Sequence, residues 1–108
     1  MTVENTLDEL DEIIADRVRL ATNGVVATAS YTQRLLADRN LRLKKIGEES
    51  AELVTACADG NHARSVEEAA DVLYHALVAV HAVGGRWKDI EAALARRREA
   101  PVVLAPTL

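Results

Sequence analysis

The chain has 108 residues, of which 49% are apolar and 28% charged, and its 13 Lys and Arg against 17 Asp and Glu give a net charge of −4. That is one domain's length with enough apolar material for a core, and the acidic balance argues against a nucleic-acid-binding surface as its main feature. The single cysteine, Cys57, excludes an intramolecular disulfide and a cysteine-based zinc site.

A nucleotide substrate stays open, because a bound cation reverses local charge. Residues 1–16 are acidic and lack a basic region followed by an apolar core, so no secretory signal is expected. The longest apolar stretch, 72–83, is too short to span a bilayer. A cytoplasmic location follows as the default. Two tyrosines, one tryptophan and no phenylalanine point to a core of Ala, Leu and Val. A monomer this small gains from oligomerising.

Thr6-Leu7-Asp8-Glu9 has the form of a capping box. Leu7, Leu10, Ile13, Ile14 and Val18 then recur at helical spacing. A first helix is predicted over 7–20, stopped by Asn23-Gly24. Gly24-Val25-Val26 is the one brief strand-like pattern. Ser30-Tyr31-Thr32-Gln33 is a second capping box and opens a short helix to about Asp38. Capping alone is a sufficient reason for Ser30 and Thr32.

A third helix over 41–58 ends at Asp59-Gly60. Its wheel sets Leu43, Ile46, Leu53, Val54 and Cys57 on one face, read as the inner one, with Lys45, Glu49, Glu52 and Ala56 in an adjoining stripe. Gly47 costs about 1 kcal/mol relative to Ala in mid-helix and would admit a close neighbour.

The fourth helix starts between Asn61 and Ser65 and runs to about Val83. Ser65-Val66-Glu67-Glu68 has capping-box form, a competing job for Glu68. From 69 to 83 only Asp71, His75 and His81 are markedly polar, so this helix reads as central, buried on most sides and touching a second subunit. Gly84-Gly85 ends it. The last helix, 87–98, turns Trp87, Ile90, Ala93 and Leu94 inward, with Arg96, Arg97 and Arg98 at its negative end. The expected fold is an all-α bundle of four to five helices over 1–99, completed by dimerisation, with an extended or disordered tail over 100–108.

Two acidic doublets carry the chemistry, Glu49-x-x-Glu52 and Glu68-x-x-Asp71. Residues three apart share one side of a helix, so each doublet aims two carboxylates one way. If the helices face each other, four carboxylates converge and repel unless a hard cation such as Mg²⁺ sits among them. Asp71 is the strongest single candidate, as a lone carboxylate on a helix read as buried; a salt bridge to an Arg or Lys of another helix is the competing reading. The Glu49 doublet, four residues after Lys45, competes with an ordinary solvated surface pair.

His75 reads as a buried histidine that orients Asp71 or touches substrate, since Mg²⁺ prefers oxygen. His62 and His81 read as structural, Cys57 as inert core, and the arginine run as a solvated helix end. No glycine-rich phosphate loop or Ser/His/Asp pattern is present.

The segments Ser30-Tyr31-Thr32, then 45–52 (Lys-Ile-Gly-Glu-Glu-Ser-Ala-Glu), then 67–75 (Glu-Glu-Ala-Ala-Asp-Val-Leu-Tyr-His) resemble the phosphoribosyl-ATP pyrophosphatase family, the second enzyme of histidine biosynthesis. The resemblance covers about residues 5–99 and extends to the all-α superfamily of magnesium-dependent nucleotide pyrophosphatases. It implies a helical homodimer in which Glu49, Glu52, Glu68 and Asp71 bind Mg²⁺ with Glu48 close by, and Ser30, Tyr31, Thr32, Lys45 and His75 lie near the substrate.

The resemblance also implies cleavage of the α–β phosphoanhydride of phosphoribosyl-ATP. Lys45 then supplies a mobile positive charge, and Glu48 or Glu49 orients or deprotonates the water. The tail after Arg98 lies beyond the family's usual end, and the turn at Gly84-Gly85-Arg86-Trp87 lacks the Ser or Thr cap common there. The fused cyclohydrolase domain of some relatives, with its zinc ligands, is not expected within these residues. Two other readings stay in play: a housekeeping nucleoside triphosphate pyrophosphatase, and a non-enzymatic helical assembly module with a solvated acidic stripe.

Overall fold

The computed structural model describes residues 3–24 and 30–99. Over them the chain forms five helices and no strand: α1 (Thr6–Thr22), α2 (Tyr31–Ala37), α3 (Arg39–Ala58), α4 (His62–Ala82) and α5 (Trp87–Glu99). The tail at 100–108, and Val25 and Val26 of the strand-like pattern, lie outside the described residues.

Short polar side chains set three of the starts. Ser30 Oγ accepts the Gln33 N–H (3.2 Å), Asp38 Oδ1 the Leu41 N–H (3.0 Å) and Asn61 Oδ1 the Arg64 N–H (3.0 Å). Asp38 therefore closes α2 and opens α3, which begins two residues before the expected point. Two expected capping boxes do not form. Thr6 is the first residue inside α1, whose N-cap is Asn5. Ser65 lies within α4 and donates its hydroxyl to the Asn61 carbonyl (2.7 Å), which releases Glu68 from any capping role.

Gly60 and Gly84 end α3 and α4 in the same way, with φ of +68° and +88°. At each, the glycine N–H and the next residue's N–H turn back to the last-turn carbonyls: Gly60 to Cys57 and Asn61 to Ala56, Gly84 to His81 and Gly85 to Val80. This is the Schellman arrangement, whose left-handed residue costs an L side chain about 1–2 kcal/mol.

Ile14, Leu35, Leu77 and Val78 form the core, with Leu10, Tyr31, Leu36, Leu41, Tyr74, Trp87 and Ile90 packed against it. These residues come from all five helices but cluster at one end of the antiparallel α3–α4 pair. The other end of that hairpin projects. The radius of gyration is accordingly 16.1 Å, against about 13 Å for a compact chain of this length.

Here the structure corrects the helical wheel of α3. The inward residues are Glu49 and Ala56, while Leu43, Val54 and Cys57 face solvent. The wheel separates two neighbouring stripes but does not say which one meets α4, and the acidic stripe does. Cys57 is therefore exposed rather than core. Helix α4 is buried only through His75, Leu77, Val78 and His81, and it leaves Val66, Leu73 and Asp71 outside. Leu94 of α5, read as inward, is exposed too. Beyond its own chain neighbours and the local α3 backbone, no atom of the described residues would lie within 4 Å of a Cβ on Gly47, so the neighbour it was read to admit is not among them.

A buried carboxylate ties α1, α4 and the start of α5 together. Asp11 of α1 accepts from His81 Nε2 (2.6 Å), from the Trp87 N–H (2.8 Å) and from Arg86 Nε (2.8 Å). Arg86 also reaches Glu12 (2.8 Å). The α5 start thus lacks its own Ser or Thr cap because Asp11 caps it from another helix, and Asp89 Oδ2 takes the Arg86 N–H (2.9 Å). His81 is structural, as expected; its partners were invisible in the sequence. Burial alone would raise the Asp11 carboxyl. The bonds from Arg86, Trp87 and His81 and the charge of Arg86 outweigh that and hold it below the usual carboxylate range.

Candidate metal and phosphate site

The acidic doublets face each other because of the tight turn that joins α3 to α4. Glu52 and Glu68 lie equally far from Gly60 along the chain, and so do Glu49 and Asp71. An antiparallel hairpin brings such pairs to one level. One carboxylate oxygen each from Glu49, Glu68 and Asp71 lies within 4.8 Å of the other two. Glu52 stands close enough to Glu68 for its charge to act on that carboxyl.

Burial is distributed differently from the sequence expectation. Glu49 is the buried member, at 9% exposure, whereas Asp71 is exposed. Asp71 therefore has no desolvation cost to offset within this chain, and the argument from its burial falls. What remains is stronger geometry. Glu49 Oε2 and Glu68 Oε2 are both shielded from solvent and accept no hydrogen bond from the described residues, a costly arrangement for carboxylates. Burial pushes the Glu68 carboxyl up, and the neighbouring carboxylates of Glu52, Glu49 and Asp71 push it further. An all-oxygen set with two unpartnered carboxylate oxygens has the chemistry to hold a hard divalent cation.

Lys45 stands beside this group on α3. Its ammonium lies 3.4 Å from Glu48 Oε2 and 4.0 Å from Glu49 Oε1. The hydrogen bond to Glu48 raises it above the ordinary lysine range, with Tyr31 and Glu49 adding to the effect, so it carries its charge at neutral pH. Glu48 also meets Lys44 (3.5 Å) and lies outside the carboxylate trio.

The segment Ser30-Tyr31-Thr32 reaches the site through α4. His75, 6% exposed, sets its Nδ1 2.7 Å from the Asp71 carbonyl. A carbonyl only accepts, so Nδ1 carries a proton, and Nε2 shares a hydrogen bond with the Tyr31 hydroxyl (2.9 Å). Thr32 Oγ1 and Tyr74 Oη lie 2.6 Å apart. The rings of Tyr31 and Tyr74 stack at 6.2 Å, and His75 meets both edge-on at 5.7 and 5.0 Å. Ser30 is occupied as the α2 cap.

Among the described residues these bonds join Tyr31, Thr32 and His75 to Tyr74 and to the backbone at Asp71. Tyr74, absent from the sequence reading of the site, completes this aromatic wall. Arg34, also absent from it, holds its guanidinium 5.7 Å from the Tyr31 ring centre. Its spacing three residues after Tyr31 was the available signal.

A family model described as phosphoribosyl-ATP pyrophosphohydrolase matches residues 7–98. The phosphoribosyl-ATP pyrophosphatase of Methanocella arvoryzae is 37% identical over 95 residues, 88% of this chain and 98% of that protein. The phosphoribosyl-ATP pyrophosphatase of Bordetella avium is 46% identical over 80 residues, 73% of this chain and 69% of the relative. The histidine biosynthesis bifunctional protein HisIE of Prochlorococcus marinus is 42% identical over 98 residues; these are 90% of this chain, which spans only 41% of that longer protein. A match across both acidic doublets and all five helices shows that this chain belongs to the phosphoribosyl-ATP pyrophosphohydrolase family.

Proposed function

We propose that the chain hydrolyses phosphoribosyl-ATP to phosphoribosyl-AMP and pyrophosphate, as part of histidine biosynthesis, with Mg²⁺ held by Glu49, Glu52, Glu68 and Asp71. The approach of Glu49, Glu68 and Asp71 to within 4.8 Å carries this reading. The names of the relatives supply the substrate. Bound Mg²⁺ would polarise the phosphate oxygens and offset the charge that builds as the anhydride breaks.

The chain's own residues have the remaining tasks. Lys45, charged and flexible, takes a phosphate oxygen. Glu48, held by Lys44 and Lys45 outside the carboxylate trio, orients the water and accepts its proton, while Glu49 stays with the cation. Water adds to phosphorus, the α–β bridging oxygen leaves with its electron pair, and pyrophosphate departs. Ser30, Tyr31, Thr32 and His75 form the adjoining wall against which the nucleotide lies.

We further propose a homodimer in the cytoplasm. Val54, Val66 and Leu73 are 68%, 56% and 53% exposed along the projecting hairpin, and a second copy would cover them. No helix of the described residues is long and apolar enough to cross a membrane.

Pyrophosphate release from phosphoribosyl-ATP is the test. It should require Mg²⁺ and collapse in Glu52→Gln and Asp71→Asn while both variants stay folded. Full activity in both would remove these carboxylates from the reaction. Equal rates on deoxynucleoside triphosphates would instead favour a housekeeping pyrophosphatase.

A further inference from the structure

The proposed substrate is anionic at both ends: a triphosphate on one side and a ribose phosphate on the other. The cation among the acidic doublets can serve only one of them. A second anion needs its own positive group within reach of the same wall.

The cations near the site are mostly committed. Arg42 donates to the Leu35 and Leu36 carbonyls (both 3.1 Å), closing the end of α2. Lys44 pairs with Glu48, and Lys45 with Glu48 and Glu49. Arg34 differs. It is exposed, and it takes part in none of the ion pairs made by the described residues.

Arg34 is also held in place. Its guanidinium lies over Tyr31, Tyr31 is bonded to His75, and His75 to the Asp71 carbonyl. A run of contacts therefore leads from the backbone of Asp71, which carries one of the carboxylates, across the aromatic wall to a charged, planar donor. A guanidinium is suited to a phosphate because it offers paired donors in one plane, and stacking on a ring orients it without using those donors.

Resting on the function proposed above, we infer that Arg34 is the binding residue for the ribose phosphate remote from the scissile bond, and that it separates phosphoribosyl-ATP from plain ATP. The triphosphate lies against Lys45 and the acidic doublets, the base and sugars cross Tyr31 and Tyr74, and the far phosphate ends on Arg34.

The test uses Arg34→Met, which keeps an apolar stem over the ring and removes the charge, and Arg34→Lys, which restores charge without the planar fork. Two quantities are read: KM for phosphoribosyl-ATP, and the inhibition constant of ATP, which lacks the second phosphate. Loss of a charge-assisted contact should raise KM in Arg34→Met by about tenfold or more. Its kcat should stay within about threefold of wild type, as for a group that binds ground state and transition state alike. ATP inhibition should not change, and Arg34→Lys should recover part of the loss.

An unchanged KM in Arg34→Met overturns the inference, and so does an equal loss toward phosphoribosyl-ATP and ATP, which would mark a general electrostatic effect. Those outcomes leave the functional reading standing as long as the wild type is active. A wild type that releases no pyrophosphate from phosphoribosyl-ATP overturns that reading and this inference with it.

Discussion

Replacing Asp11 by alanine should be among the most damaging single changes in this chain, although Asp11 lies far from the acidic doublets in sequence. It would leave the His81 Nε2 proton and the Trp87 N–H without their acceptor, and the His81 side chain is only 3% exposed. Arg86, 34% exposed and already bonded to Glu12, would lose less. Leaving two buried donors without their acceptor, at about 1–3 kcal/mol each, puts the cost at about 3–5 kcal/mol. At about 4 °C per kcal/mol for a chain of this size, the melting point should fall by roughly 12 °C or more.

The effect has a pH signature. The folded-state pKa of Asp11 lies below its ordinary value, which is about 3.9 in an unfolded chain. The stabilisation is therefore complete above that value and is lost as pH falls through the folded pKa. Far-ultraviolet circular dichroism melts at fixed protein concentration, on wild type and Asp11→Ala, should show a constant gap from neutral pH to about pH 5 that narrows below about pH 4. A variant that melts within about 2 °C of wild type at pH 7, or a gap that stays level through the acid range, would refute the account of Asp11 as a three-way acceptor.

Three further outcomes follow from the structure. Asp71→Asn should melt no lower than wild type without metal, since it removes one of several crowded negative charges. It should lack the Mg²⁺-dependent rise, worth about 2.7 kcal/mol in wild type at a hundredfold excess over Kd; calorimetry with and without Mg²⁺ reads both. Gly85→Ala would set a Cβ 2.5 Å from Val80 Cγ1, and the overpacking should cost about 1–3 kcal/mol in chemical denaturation, relieved in part by Val80→Ala. Val54→Asp, on the projecting hairpin, should leave the chain folded but convert the proposed dimer to monomer in sedimentation velocity at micromolar concentration.

The helices were legible because their punctuation is local. Ser30, Asn61, Gly60 and Gly84 act through bonds to residues one turn away, and each could be read from a few neighbouring letters. Where two local signals competed, as with Asn61 and Ser65, the chain used the earlier cap because that adds a full turn to α4. The pairing of the doublets was legible for a similar reason: the tight turn at Gly60 makes sequence distance a proxy for spatial level.

Burial was not legible. Glu49 and Asp71 look alike as letters, yet the first is covered by packing against α4 and the second is open. The apolar stripe of α3 looked like a core face because a wheel has no knowledge of the neighbour. Nor could spacing reveal that Asp11, at one end of the chain, caps a helix that begins more than seventy residues later, or that the exposed Arg34 holds its guanidinium over Tyr31.

Helix α4 explains why stability and the site can coexist in so small a chain. Its first half carries Glu68 and Asp71, whose repulsion with Glu49 and Glu52 opposes closing the hairpin on α3. Its second half carries His75, Leu77, Val78 and His81, the residues that bury it against α1 and α2 and lock it to Asp11. The acidic end is thus held in register by packing at the other end rather than by attractions of its own. The consequence is a separation of effects: Asp11→Ala should lower the melting point and leave Mg²⁺ dependence intact in the folded fraction, while Asp71→Asn should do the reverse. If both variants moved both quantities together, the two halves of α4 would have to be treated as one cooperative unit, and the acidic cluster as part of what holds the fold.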